Sequence, residues 1–373
     1  MKKVIVLGAG RVGQTMAIDL CKEYAVTSVD FNAANLATLS TNHPIETKKA
    51  DLSDPKEIEK AIQAADIVIG AVPGFMGFEM VKTVLNAGKN IVDISFFNED
   101  IFLLDELAKK NNVVAVMDCG VAPGMDNIIL GYHNKRMTVQ SFECLVGGLP
   151  VVRSWPYEYK APFSPIDVIA EYTRPARFVK EGKLVTRPAL SDPELIDFPQ
   201  IGTLEAFNTD GLRSLIKTMK IPDMIERTLR YPGHINYMRV LRESGFFSEE
   251  IIQVNGKDIR PIDLTSKLLF PMWKLKEGEE EFTIMRVVVK GIEDNKPKTY
   301  TYDLLDRYDR TTKTPSMSRT TGYTCTAVAR LVLENKYTRI GISPPEFVGE
   351  DENCFRSVLA DLKERGVEYC VSG

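Results

Sequence analysis

The sequence predicts an α/β protein, a doubly wound parallel sheet followed by a region built on a mostly antiparallel sheet. Two observations carry this reading. From Lys3 to about Tyr132, short β-branched runs alternate with amphipathic helical stretches, as a parallel sheet with covering helices requires. After about Val139 that alternation gives way to longer strand-like runs separated by Pro- and Gly-rich loops. A chain of 373 residues exceeds one ordinary core and suits two domains.

In order, the first strands are expected at Val4 to Leu7, Ala25 to Val29, Glu46 to Ala50, Ile67 to Ala71, Asn90 to Val92 and Val113 to Met117. Val12 to Lys22, Pro55 to Ala64, Phe78 to Ala87 and Leu103 to Lys110 carry apolar residues at helical spacing between them. Later strands are expected at Phe142 to Val146, Phe282 to Val289 and Lys298 to Leu305. Helices return at Met317 to Glu334 and Phe355 to Arg365, the last stopping at Gly366.

A net charge of -4, with basic and acidic residues interspersed, offers no footprint for nucleic acid. Apolar runs fall far short of the roughly 20 residues of a membrane helix, so no membrane partner is expected. The stretch opening at Met1 reads as a first strand rather than a secretory leader. Six scattered cysteines, without a CxxC or metal-ligand spacing, imply reduced thiols in the cytoplasm and no metal site.

The stretch Val4 to Gly13 reads as a strand, a G-x-G-x-x-G loop at Gly8, Gly10 and Gly13, and the start of a helix. Gly8 suits the tight turn, Gly10 lets a pyrophosphate approach the backbone, and Gly13 lets helix and strand pack closely. Arg11 and Val12 open the helix whose free N–H groups face the phosphates. Asp30, about twenty residues on, is placed to hold the ribose hydroxyls and to repel a 2′-phosphate, which favours NAD with NADP as the alternative. Asp51 is read either as facing the adenine or as the helix cap before Pro55. Val72 and Pro73 end a strand where the cofactor backbone is expected to run.

Taken together, Gly8 to Gly13, Val92-Asp93, Asp118 to Met125, Val146 to Pro150, Glu205 to Gly211 and Arg230 to His234 resemble the family of saccharopine dehydrogenase (reductase type) and lysine 6-dehydrogenase. The resemblance spans essentially the whole chain. It implies a Rossmann domain split by an inserted substrate domain, with boundaries at 1–124, 125–315 and 316–373, and the last segment helical and packed back on the first. It also implies NAD(P)-linked chemistry at a carbon–nitrogen bond of a small amino acid or polyamine-related substrate, in a homodimer. Ala122 stands where saccharopine reductases resembling this chain usually carry aspartate, so Val121-Ala122-Pro123-Gly124 looks more like lysine 6-dehydrogenase.

The expected reaction is oxidation of the lysine side-chain amine to the ε-semialdehyde, which cyclises to a piperideine carboxylate. Two alternatives stand beside it: an imine reductase of the saccharopine or carboxynorspermidine type, and a non-catalytic NAD-binding regulator. Deamination needs a base near the amine, and the strand-end carboxylates Asp93 and Asp118 are the candidates, with His234 as a further proton carrier. An α-carboxylate is best held by arginine, so Arg213 and Arg230 are candidates, accompanied by Thr209 and Asp210. The resemblance adds Tyr159 and Lys160 to the substrate site. Gly120 and Ala122 are assigned to the cofactor.

Overall fold

The computed structural model describes residues 1–373. Its first part runs β1 (Lys3–Leu7), α1 (Arg11–Leu20), β2 (Ala25–Asp30), α2 (Ala33–Asn42), β3 (Glu46–Lys49), α3 (Pro55–Ile62), β4 (Ile67–Gly70) and α4 (Gly74–Asn86). It continues with β5 (Asn90–Asp93), α5 (Asp105–Lys110), β6 (Val114–Val116) and α6 (Met125–Asn134). Next come β7 (Thr138–Pro150), α7 (Pro165–Thr173), β8 (Ala176–Lys180), β9 (Lys183–Arg187), β10 (Glu194–Phe198), β11 (Gly202–Asn208), α8 (Leu215–Thr218), β12 (Asp223–Arg230) and α9 (His234–Glu243). The hairpin β13 (Ile252–Val254) and β14 (Lys257–Ile259), α10 (Pro261–Trp273), β15 (Glu281–Glu293) and β16 (Lys296–Arg307) follow. The chain ends with α11 (Ser316–Leu333), β17 (Gly341–Ser343), α12 (Pro345–Gly349), α13 (Glu352–Glu364) and β18 (Tyr369–Ser372).

These elements form two compact units. One holds Met1–Thr138, Ile292–Lys296 and Met317–Tyr369; the other holds Val139–Gly291, Pro297–Ser316 and Cys370–Gly373. The first unit is a seven-stranded sheet in the order β17-β6-β5-β4-β1-β2-β3, parallel at every pairing. That is the doubly wound order with one strand added at the β6 edge. Strands β1 and β4 read as unbroken apolar runs because helices cover both faces of such a sheet. The last segment was expected to be helical alone, yet Gly341–Ser343 pairs with Val114–Val116 as β17. Three residues are too few to show a strand period in sequence.

The second unit is built on a sheet ordered β10-β11-β12-β7-β15-β16-β18, with β8 and β9 attached at β12. β11 pairs antiparallel with β10 and β12, whereas β12 runs parallel to β7. No helix is long and apolar enough to cross a membrane, and no disulfide links the six cysteines.

Helix starts follow local chemistry. The Asn32 side chain caps α2, Asp54 caps α3 ahead of Pro55, and Asp351 caps α13. Asp51 is therefore not the cap of α3; it is exposed and accepts from the Ser53 amide and hydroxyl.

The helix behind the glycine loop is fixed by a buried ionic cluster. Asp19 of α1 accepts from Arg365 Nε at 2.7 Å, from Arg330 Nη1 at 2.9 Å and from Thr326 Oγ1 at 2.7 Å. Burial raises the Asp19 carboxyl, and the two guanidinium groups more than reverse this, leaving it below its ordinary value. Its contribution is thus complete above the usual carboxylate range and fades as pH falls through the lowered value. Asp19→Asn removes the most deeply buried carboxylate of the cluster while Arg330 and Arg365 keep Glu23 and Asp361, and urea unfolding at neutral pH should show a loss of about 1–3 kcal/mol. The deficit should shrink on acidification.

Candidate functional site

The dinucleotide loop is shaped first by backbone contact. A Cβ on Gly13 would lie 2.0 Å from the Gly8 carbonyl oxygen, and one on Gly8 would lie 2.4 Å from that of Ala71. Both positions are therefore glycine for the fold's sake. Gly10 differs: it is exposed, has an extended ψ of -175°, and a Cβ there would meet no protein atom within 4 Å. Nothing inside the protein calls for glycine there. Close approach of a ligand to that backbone does.

Arg11 and Val12 begin α1 and stay partly accessible beside this opening. Asp30 closes the loop's other side. Its Oδ2 accepts from the Ala9 amide at 2.6 Å and its Oδ1 from the Asn32 amide at 2.7 Å. A carboxylate has roughly four lone-pair sites, so it can still accept from two ribose hydroxyls. Val72 is buried and Pro73 precedes the first turn of α4, on the β4 side of the loop. The residues present thus fit a nicotinamide dinucleotide.

Asp93 and Asp118 lie at the same carboxyl edge of the sheet, after β5 and β6. Asp93 is wholly buried, with Oδ1 accepting from Ser95 Oγ at 2.9 Å and Oδ2 from the Ser95 amide at 3.1 Å. Its side chain rests where a Cβ on Gly70 would otherwise sit, 2.0 Å from Oδ1. Asp118 adopts a left-handed backbone with φ 54°. Such strain in a non-glycine residue needs support from its surroundings. The following Cys119 is fully buried, and burial with the nearby Asp93 and Asp118 charges pushes its thiol far up, so it stays protonated.

Gly120 and Ala122 belong to a loop that closes on itself. The Gly120 amide donates to Pro123 O at 3.0 Å and the Gly124 amide to Asp126 Oδ1 at 2.9 Å. Burial drives the Asp126 carboxyl upward, and the neighbouring Glu346 adds to this.

In the second unit, Tyr159, Arg230 and His234 come together. The Arg230 guanidinium is buried and donates from Nε to Tyr172 Oη at 3.0 Å, from Nη2 to Glu171 at 2.9 Å and from Nη1 to Leu229 O at 3.0 Å. It lies 4.6 Å from the Tyr159 ring centroid. Arg230 was expected to clamp a substrate carboxylate. Instead its nitrogens hold protein partners, because a buried cation must be satisfied from within.

His234 Nδ1 donates to Tyr157 O at 2.9 Å, which leaves Nε2 to accept from the Tyr172 hydroxyl at 3.0 Å. Burial, with Arg230 adding to it, pushes the imidazole down to about 3. His234 is neutral near pH 7 and does not carry a proton there, contrary to the sequence expectation. The buried Tyr159 hydroxyl has no hydrogen-bond partner, nor has the indole nitrogen of Trp273, whose ring centroid is 5.6 Å away. Burial holds the Tyr159 phenol well above its ordinary value, making it a neutral donor.

Other expected residues are not part of this group. Lys160 Nζ donates to Met272 O at 2.9 Å, and Asp210 takes both Nε and Nη2 of Arg177 at 2.8 Å. Thr209 shares a hydrogen bond with Thr228 at 2.8 Å. Thr209, Asp210 and Arg213 follow β11, whose antiparallel register places Asn208 opposite Arg227 and so carries them toward the start of β12. Tyr172 on α7 and Trp273 on α10 were not singled out, because no motif beside them in the chain marks a site.

The folded His234 stays neutral where an unfolded histidine takes up a proton. Stability should therefore fall as pH drops below the ordinary histidine value of about 6.5. His234→Gln should remove part of that slope, the rest coming from His133, which burial also pushes down to about 4, and ring NMR signals of His234 should not titrate between about pH 5 and 8.

Comparison with known proteins agrees with this architecture. Residues 4–116 match the saccharopine dehydrogenase NADP binding domain and residues 120–367 the saccharopine dehydrogenase C-terminal domain. An alpha-aminoadipic semialdehyde synthase of Arabidopsis thaliana is 27% identical over 60% of the chain and 23% of its own length. The NADP-linked, L-glutamate-forming saccharopine dehydrogenases of Pyricularia oryzae and Saccharomyces cerevisiae are each 24% identical, over 67% and 69% of the chain. The chain spans 59% and 61% of those two relatives. The apo yeast enzyme superposes with a TM-score of 0.79 at 18% identity, covering 100% of this chain and 99% of that one. A Legionella pneumophila homospermidine synthase in complex with NAD gives 0.69 at 12% identity, covering 100% and 91%. The chain belongs to the saccharopine dehydrogenase family.

Proposed function

We propose that this chain is a nicotinamide-dinucleotide-dependent oxidoreductase acting at a carbon–nitrogen bond of a small amino acid. The observation that carries the cofactor half is Gly10, a glycine with no internal reason to be one. The reaction half is supported by the matches to both domains of the family. Within that class we infer NAD-linked oxidation of the lysine side-chain amine to its semialdehyde. Asp30 supports NAD, and Ala122 supports lysine over a bulkier adduct.

The bound nicotinamide would supply hydride acceptance. The protein's own task is to take a proton from the ammonium, and we assign it to Asp118 rather than Asp93. Asp118 carries the strained left-handed backbone at the end of β6 that functional positions tend to carry. Tyr159, a buried phenol held in its neutral form, is kept as a candidate for binding substrate within the second unit. Arg230 and His234 are assigned to position the tyrosines.

A second reading is an imine reductase joining an aldehyde to an amine, which the likeness to the fungal NADP-linked, L-glutamate-forming saccharopine dehydrogenases favours.

Purified protein with NAD should form NADH from lysine between pH 7 and about 10, where the amine begins to lose its proton. Absence of NADH across that range rejects the lysine reading. NADPH consumption that needs both an aldehyde and an amine selects the reductase. Asp118→Asn should lower kcat by about 10²–10⁴-fold with NADH affinity unchanged. Gly10→Ala should melt like the parent but bind NAD at least about tenfold more weakly, whereas Gly13→Ala should unfold more easily because its Cβ meets the Gly8 backbone.

A further inference from the structure

Helix α10 is apolar on two sides. Ile262, Leu269 and Trp273 are buried and share one core with Val168 and Ile169 of α7. Leu264, Leu268 and Met272, spaced at i, i+4 and i+8, form a second stripe that stands 53%, 62% and 46% exposed. A surface helix ordinarily turns a polar face to water, and one that is apolar all round is covered on both sides. The stripe also has apolar company. Thr265 Oγ1 donates to Phe246 O at 2.7 Å, which sets the exposed Phe246 beside the helix. The hairpin of β13 and β14 leads directly into α10 and adds the exposed Ile252 and Val254.

We propose that this face of α10 pairs two copies of the chain about a twofold axis near Leu268, with the two helices antiparallel. Size argues for a second copy. The six exposed side chains together present on the order of 500 Å² of apolar surface. A standard interface takes about 800 Å² from each partner, a little more than half of it apolar. Symmetry agrees. In an antiparallel pair Leu268 meets its own counterpart and Leu264 meets Met272 of the second copy, so one short stripe is complementary to itself. Asp263 and Lys274 are both exposed and lie about three turns apart on one flank of the stripe. The antiparallel arrangement sets the acid of each copy opposite the base of the other and opposes the two helix dipoles, whereas a parallel one would set like against like. Charges at such a rim select orientation more than they add affinity.

Analytical ultracentrifugation of the full chain over about 1–100 μM tests the pairing. Leu268→Asp should halve the mass of the assembly, raising the dissociation constant of this contact at least about a hundredfold, with the circular dichroism of the parent retained because the residue is exposed. Val152→Asp, which puts the same charge on another exposed apolar residue, should leave the mass unchanged. In a Cys370→Ser background, which removes the exposed native thiol, Leu268→Cys should form a disulfide between copies on mild oxidation. Leu264→Cys in that background should not, since it faces Met272 rather than itself. A parent chain that is monomeric throughout the range overturns the proposal, whatever other partner the stripe then takes. So does a Leu268→Asp chain that assembles as the parent does. Cross-linking of Leu264→Cys without cross-linking of Leu268→Cys overturns it as well.

Discussion

The contact of β1 with α1, backbone against backbone at Gly8 and Gly13, is the constraint on which the first unit depends. No side chain can stand between these two segments, so the loop between them is forced into a tight crossing that leaves Gly10 outermost. The crossing also aims the Ala9 amide at Asp30, joining the ends of β1 and β2 across the mouth of the sheet. Behind it, Asp19 ties α1 to Arg330 of α11 and to Arg365, just past α13. The last residues of this unit thereby fix the helix that begins at residue 11. Sequence distance is irrelevant to such a bond; burial and opposite charge decide it.

In the second unit the governing rule is that a buried cation must be satisfied internally. Arg230 engages Glu171, Tyr172 and a backbone carbonyl, and through Tyr172 it orders His234. Neutral His234 and the neutral tyrosines form a polar group that carries no proton charge of its own near pH 7. Burial presses the Tyr172 phenol up to about 12 and the imidazole down to about 3, each toward its uncharged form. A group of this kind positions and donates hydrogen bonds.

Much of the fold was legible in the chain. The six strands expected before Tyr132 lie within a residue or two of β1 to β6; the covered ones, such as β1 and β4, show because parallel strands buried on both faces must be apolar, whereas β3 is a polar edge strand. The glycine loop and Asp30 were legible because backbone geometry allows few residues at those places. Less visible were β17, too short for a period, and the cap of α3, which proved to be Asp54 rather than Asp51. In the second unit, motif spacing picked out Arg230 and His234 but not what they do. Their partners Glu171 and Tyr172 lie on a helix about sixty residues away, and nothing local marks them.

The sequence by itself determined the doubly wound order of the first unit and the identity of its dinucleotide loop. Both follow from local rules: side-chain period, strand-breaking residues, and the absence of a Cβ where backbones meet. Only the tertiary structure decided which polar groups are already taken. It showed Arg230 engaged, Asp93 bonded to Ser95, His234 held neutral, and Gly10 left open. Burial and hydrogen-bond partnership are properties of residues brought together from distant parts of the chain, and no spacing along the sequence encodes them.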